Sequence, residues 1–443
     1  MQHTPSLPKK FALLLVASLM VFAFVCPGVS GQEPGAKPLQ ISEVEFMGLR
    51  RLTQQQALAI SGLQPGDLFS EALVDEAAKK LMDSGLFVRL GFRVKGAGHL
   101  LHVTFQVEEA DRGLPIIFDN FVWFTDEELV AGIRREVQFF NGTVPQSGSA
   151  ADTIATALQK LLDEKKIAGR IEHLAGEDLA HNLSYVFSVK GIELPVCTLH
   201  FPGSAGVSED DLRKAAKQLI DRDYSKSSSS AFASVTLIPL YRHVGRLRAK
   251  FNEPVAVLDQ SGGPGCKNGV DLTIPVEEGA VYSWQKAEWT GNQSVASSAL
   301  DAALGMKAGE VADGIKIDKG LKEATKAFGH KGFVTARIKQ SIQFDETNHL
   351  VTFKMDVIEG QQYRMGELIT RGLSPDIART IREKWALHTG DVFDSTYADE
   401  FMKNEGRSIL QMIFQEHHAP PTISSKPNQQ TLTVDVTFEV KRK

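Results

Sequence analysis

Cysteine is scarce in this chain: only 3 among 443 residues, with no Cys-x-x-Cys pair and no Cys/His cluster. That spacing excludes a zinc ribbon or a thioredoxin-type redox centre. An excess of positive charge is missing too, since 49 Lys and Arg face 54 Asp and Glu for a formal net charge of -5. A general electrostatic grip on nucleic acid is therefore not expected, although local basic strips survive in a chain of any net charge. The catalytic signatures H-E-x-x-H, G-x-S-x-G and G-x-x-x-x-G-K-[ST] are absent. After residue 25 there is no long apolar run. A hydrophobic content of 42% with 23% charged residues describes a folded soluble chain, neither disordered nor polytopic.

What is present begins at the N-terminus. Lys9 and Lys10 precede an apolar run from Phe11 to Val25, broken by Pro27 and Gly28, and Val29-Ser30-Gly31 supplies small residues. This is the pattern of a secretory signal over residues 1–31, with the mature chain starting near Gln32. The run is shorter than the roughly 17–25 residues a spanning helix needs, and an uncleaved anchor is the rival reading. Val25 is bulkier than the small residue that precedes a lipidated cysteine, so Cys26 argues weakly for lipidation. Export would permit a disulfide between Cys197 and Cys266, with two separate buried thiols as the alternative.

A period of roughly 80 residues runs through the rest. In the first copy Ile41, Val44 and Phe46 start a strand that Gly48 ends. Thr53 caps a short helix closed by Gly62, Gln64-Pro65-Gly66-Asp67 forms a turn, and Ser70 caps a second helix along Leu73, Ala77 and Leu81. Gly85 ends that helix, and Leu90, Phe92 and Val94 alternate with Arg89 and Arg93 as in a half-buried strand. Leu101, Val103, Phe105 and Val107 return. The order is β-α-α-β-β.

Gly48, Leu52-Thr53, Leu63, Gly66-Asp67-Leu68-Phe69 and Gly85-Leu86-Phe87 resemble the signature of the POTRA domain, found in the periplasmic arms of the Omp85 outer-membrane assembly family. A fourth copy shows Gly291-Asn292, Gly309 and Gly332-Phe333-Val334, and a fifth shows Gly372-Leu373 and Gly390-Asp391-Val392-Phe393. The second and third copies diverge. Trp123-Phe124-Thr125-Asp126 replaces the glycine exit in one, and the serine run Ser225 to Ser230 takes the place of the central turn in the other. The expected modules are 39–110, 114–190, 192–279, 281–360 and 362–443. The expected fold class is α+β: tandem β-α-α-β-β POTRA-like modules in an elongated array, each a small mixed three-stranded sheet covered by two helices. Omp85 arms usually lead into a β-barrel, written as segments of about 10 alternating residues. Here the chain reaches Lys441-Arg442-Lys443 directly after the fifth copy, so an arm without its barrel is expected.

The resemblance implies binding of polypeptides by β-augmentation, in which an extended guest joins an open sheet edge. It places the strand after the second helix at that edge. The candidate residues are Val88, Arg89, Leu90 and Arg93, then Arg246, Leu247, Arg248 and Lys250, then Val334, Arg337, Ile338 and Lys339. Their alternating cations read either as rails for an acidic client or as guards against edge-to-edge aggregation. Expected partners are outer-membrane barrel proteins or their unfolded precursors, with peripheral outer-membrane association and no nucleic acid. The alternative is an anchored scaffold for cell-envelope partners. No catalytic residue, cofactor or metal is expected. Ser261-Gly262-Gly263-Pro264-Gly265 reads as a hairpin turn and His417-His418 as a solvated loop. Glu108-Glu109 and Glu277-Glu278 read as charged module junctions, not as acid/base pairs.

Overall fold

The computed structural model describes residues 37–111, 113–137, 140–177, 182–259, 266 and 268–440. The expected signal segment 1–31 and the Ser261–Gly265 turn lie outside the described residues. The chain divides into two compact units, one ending at Ala110 and the other starting at Asp111.

The first unit contains β1 (Gln40–Met47), α1 (Gln54–Ser61), α2 (Glu71–Asp83), β2 (Phe87–Ala97) and β3 (Leu100–Glu109). Local chemistry sets the helix limits. Thr53 and Gln56 form a capping box at the start of α1, and Gly62 ends it in the left-handed region at φ 71. Ser70 accepts the Leu73 N–H to start α2, and Gly85 at φ 70 turns the chain out of it. In the sheet order β1-β3-β2, β1 runs parallel to β3 and β2 antiparallel to it. Ile41, Phe46, Val74, Leu81 and Phe105 are buried between sheet and helices, and each such side chain stabilises by roughly 1.5–3 kcal/mol.

Among its described residues the second unit holds four more sheets of three or four strands and one two-stranded pair. The first comprises β4 (Leu114–Phe118), α3 (Asp126–Glu136), β5 (Thr143–Val144), α4 (Ala150–Glu164), β6 (Arg170–Glu177) and β7 (Leu183–Lys190). Its order is β5-β4-β7-β6. It has four strands instead of the expected three, because the segment between its helices pairs with β4 over two residues, Thr143 and Val144.

Next come β8 (Val196–His200), α5 (Glu209–Ala216), α6 (Lys226–Phe232), α7 (Ile238–His243), β9 (Lys250–Phe251), β10 (Val255–Leu258), β11 (Val270–Thr273) and β12 (Val276–Glu277). The sheet order is β10-β11-β8, and β9 pairs with β12 separately. A π-helical turn over Ala233–Leu237 joins α6 to α7; Pro239, which brings no N–H, follows directly. The serine run expected to replace the central turn instead opens α6, with Ser225 as its cap. Cys197 and Cys266 are joined in a disulfide with Cα atoms 5.6 Å apart and a sequence separation of 69. In the chain-entropy description this closure adds about 4 kcal/mol.

The last two sheets follow the first closely. One holds β13 (Ser283–Thr290), α8 (Ser297–Leu304), α9 (Gly314–Gly329), β14 (Arg337–Asp345) and β15 (Leu350–Ile358), in the order β13-β15-β14. The other holds β16 (Arg364–Arg371), α10 (Pro375–Lys384), α11 (Tyr397–Asn404), α12 (Gly406–His417), β17 (Thr422–Asn428) and β18 (Thr433–Glu439), in the order β16-β18-β17. His417 and His418 end α12, with His418 as its left-handed cap; they do not form a free loop.

Four of the five first strands are ended by the same device. Gly48, Gly203, Gly291 and Gly372 have positive φ, and a Cβ on any of them would overlap the carbonyl oxygen of Val107, Val276, Val357 or Val440 respectively. Gly305 shares the left-handed conformation at φ 71 but faces open space. Gly291→Ala is therefore expected to cost about 1–3 kcal/mol more than Gly305→Ala, the difference being overpacking. Urea melts of the two variants test this, and equal losses would remove the close approach as a determinant of the fold.

Candidate functional site: the open sheet edges

A three-stranded sheet has two edges, and here they are treated differently. The first strand's outer edge is met by the segment between the two helices. Ile41 N–H donates to the Asp67 carbonyl at 2.8 Å, and Gly66 N–H donates to the Ile41 carbonyl at 2.7 Å. Trp284 with Glu310 and Gly309 repeats this pairing, as does Met365 with Asp391 and Gly390. On β8, Val196 pairs with Arg222 and Asp221, and on β4 the short β5 does the same work. Among the described residues, the strand at the opposite end of each of these sheets is paired with one neighbour: β2, β6, β10, β14 and β17. The backbone groups on its other side are available to a guest strand.

Of the expected edge residues, two sets lie on such strands. Leu90 packs its side chain on the first core, Arg89 pairs with Glu108 at 3.2 Å, and Arg93 is exposed. Val88 sits in a register irregularity between Phe87 and Arg89 and is exposed. Arg337, Ile338 and Lys339 begin β14, with Ile338 half-buried and both cations exposed.

In the remaining set Arg246, Leu247 and Arg248 lie on no strand, and only Lys250 is on one, the two-residue β9 with β12 as its neighbour. Arg246, Leu247 and Arg248 lie in turns before β9, and their side chains are drawn to groups distant in sequence. Arg246 pairs with buried Glu278 at 3.1 Å, and Leu247 packs on the core around Tyr282 and Trp284 of the following sheet. The Arg248 guanidinium lies 4.0 Å from the Phe344 ring centroid and pairs with Glu346. Lys250 is on β9 but pairs with Glu277 across β12 at 2.8 Å. Val334 likewise precedes its strand and packs on the core of the last sheet. Leu247, Arg248 and Val334 thus contact groups of the following sheet's surroundings, whereas Arg246 and Lys250 pair within their own.

The third sheet's true edge is β10, a four-residue strand that none of the expected edge residues occupies. Val255 and Val257 on it are 53% and 58% exposed, and the strand Val-Ala-Val-Leu has no charge. The signal was there in the alternation of Val255 and Val257 after Pro254.

The paired glutamates prove structural. Glu109 is 7% exposed and accepts the backbone N–H groups of Arg50, Arg51 and Leu52 within 3.0 Å. Burial opposes its ionisation, but the three backbone N–H groups and the Arg51 guanidinium outweigh it and lower the pKa to about 2. Glu278 receives Ala205 and Gly206 N–H at 2.7 Å, and Glu359 receives Ser294 N–H at 2.8 Å. Among the described residues no group of three His, Cys, Asp or Glu side chains could hold a metal ion, and no helix is long and apolar enough to cross a membrane.

Comparison with known proteins agrees with this architecture. Residues 282–360 match the POTRA family model, described as surface antigen variable number repeat. A protein of Treponema pallidum (strain Nichols), provisionally named an outer membrane protein assembly factor, is 18% identical over 405 residues, covering 89% of this chain and 47% of that protein. The chain thus spans about half the length of the curated relative it matches. The BamA POTRA3-5 structure of Haemophilus influenzae is similar at 19% identity and TM-score 0.44, over 56% of this chain and 96% of that one. The POTRA1-3 structure of Omp85 from Anabaena is 11% identical with TM-score 0.20, over 74% and 98%. The chain is an α+β protein built of several small mixed sheets with helices; residues 282–360 are of POTRA type, and the chain is similar to a protein named an outer membrane protein assembly factor.

Glu109 yields a pH test. Its folded pKa of about 2 lies below the ~4.3 of an unperturbed glutamate. The stabilisation is therefore complete above about pH 4.3 and lost as pH falls through about 2. Glu109→Gln should cost about 1–3 kcal/mol near neutral pH and flatten the acid limb of the stability profile. Hydrogen exchange across residues 40–109 reads both effects, and a loss independent of pH would contradict the buried-anion assignment.

Proposed function

We propose that this chain is a periplasmic polypeptide-binding arm in outer-membrane protein assembly or secretion, and that it holds client or partner chains by β-augmentation. The observation that carries the reading is the asymmetry of the edges: one is closed in all five sheets by the inter-helix segment, and the other ends in a strand with a single neighbour. The resemblance to an assembly factor supports the setting. In this reading the modules are 39–110, 114–190, 192–279, 281–360 and 362–443, and residues 1–31 direct export. The partners are barrel proteins or their unfolded precursors, the class of chain that carries alternating apolar strands. The arm binds and does not catalyse, taking no cofactor.

The edges differ in how they are guarded. Arg89 and Arg93 stand on β2, Arg337 and Lys339 on β14, and Lys426 and Pro427 on β17. These are residues that deter edge-to-edge pairing. Unguarded β10 is the edge best suited to a strand with alternating β-branched side chains.

The test is a proline scan along Val255 to Leu258, with Leu90→Pro and Ile338→Pro beside it. Successive strand residues direct their N–H groups to opposite sides. Proline at residues bonded to β11 should unfold the hairpin, whereas proline at the alternate residues should lower affinity for an extended barrel-strand peptide and leave the fold intact. Peptide titration and circular dichroism separate the two, and losses of fold and binding that coincide at every position would rule out augmentation. In vivo cross-linking identifies the partners; recovery of inner-membrane proteins alone, with the N-terminal segment still attached, would favour an anchored scaffold.

A further inference from the structure

The second helices of three consecutive modules meet end to end through a side-chain pair that occurs twice. His243, the last residue of α7, places Nδ1 2.8 Å from Oδ2 of Asp313, the N-cap of α9. His330, the C-cap of α9, places Nδ1 2.9 Å from Oδ2 of Asp394, which also accepts the Thr396 N–H just ahead of α11. The positions are equivalent in the repeat. Each histidine stands two residues before a left-handed glycine, Gly245 or Gly332, and each aspartate stands four residues after a turn glycine, Gly309 or Gly390. Beside each pair a backbone bond crosses the same joint: Tyr282 N–H donates to the Gly245 carbonyl at 3.0 Å, and Tyr363 N–H donates to the Gly332 carbonyl at 2.8 Å.

We propose that His243–Asp313 and His330–Asp394 form a proton-operated clasp, in which protonation of the two imidazoles tightens the joints between the third, fourth and fifth modules. A neutral imidazole already donates Nδ1–H to the carboxylate, so the clasp exists as a hydrogen bond before protonation. A proton taken up at Nε2 adds a full charge to that contact. Each histidine lies at a helix C-terminus and each aspartate at a helix N-terminus, the ends where a cation and an anion are respectively favoured. Histidine is the side chain whose ordinary charge change falls between about pH 5 and 8.

Charged groups from several elements surround both imidazoles. His243 faces Asp313 and Asp211 of α5, while its neighbour Arg242 is held by both oxygens of Asp318 at 2.6 and 2.9 Å. His330 faces Asp394 and Glu323, and Thr396 Oγ1, near Glu400, lies 3.1 Å from its Nδ1. The nearby cations are engaged, Lys214 with Asp211, Lys326 with Glu323 and Lys331 with the Ser294 carbonyl. One exposed ion pair is worth little. The same atoms at the same repeat positions in two successive joints make a device of it.

The Tyr282 and Tyr363 amides report joint opening directly. In the full chain their hydrogen-exchange protection, corrected for intrinsic rates, should rise about two- to five-fold from about pH 8 to about pH 6. The Met365 amide, bonded within its own module to the Asp391 carbonyl, should stay level. His243→Gln should abolish the rise at Tyr282 and leave that at Tyr363; His330→Gln should do the reverse, with protection at about pH 8 retained in both. Protection that is flat with pH in the unaltered chain, or a rise that persists in both variants, would overturn the proposal. Should one variant fail to fold, the other and the unaltered chain still decide.

Discussion

The left-handed glycine that ends the first strand constrains the course of the chain through the rest of each module. At Gly48, Gly203, Gly291 and Gly372 the backbone lies so close to a last-strand carbonyl that no side chain fits. The first strand must therefore stop there, pressed against the last. The loop beyond it is turned back, and its N–H groups land on the glutamate two residues beyond the contacted valine, as with Glu109, Glu278 and Glu359. A buried carboxylate without partners would be costly. Several backbone donors make it a clamp, holding the loop before the first helix to the end of the last strand.

The second sheet reaches the same closure without glycine. Asn120 donates its Nδ2 hydrogen to the Val189 carbonyl at 3.0 Å and accepts the Val189 N–H on Oδ1 at 2.7 Å. The side chain thus makes both bonds of a strand neighbour, replacing close approach by mimicry. The preceding residue gains another use. Asp119 accepts the Ser225 hydroxyl at 3.0 Å and the Ser227 N–H at 2.8 Å, and so binds the start of α6 in the next module.

Much of the first, fourth and fifth modules was legible because their signals are local. Thr53, Ser70, Gly62 and Gly85 each act within a few residues of their own position, and the alternation of Leu90, Phe92 and Val94 with arginines reports one buried face. The third module was misread where the deciding partners lie far along the chain. Arg246-Leu247-Arg248-Ala249-Lys250 alternates like a strand, yet Glu278, Phe344 and Glu346 claim the arginines and the next core claims Leu247. Period-two alternation cannot distinguish an exposed cation from one gripped by a neighbouring module. Asn120 gave no signal either, since its role depends on Val189, 69 residues away.

That misreading changes the physical account of binding. If cations lined every edge, affinity would come largely from charge and would be screened by salt. In the third module Arg246 is spent on Glu278 and Arg248 on Phe344 and Glu346, and β10 is apolar. A guest there would exchange backbone bonds to water for bonds to β10, a net gain of about 0.5–1.5 kcal/mol each, and would cover Val255 and Val257. Neither contribution depends on the guest's charge, and the main-chain part does not depend on its sequence. Arg248, placed at the joint, instead holds the third module against the fourth through Phe344 and Glu346.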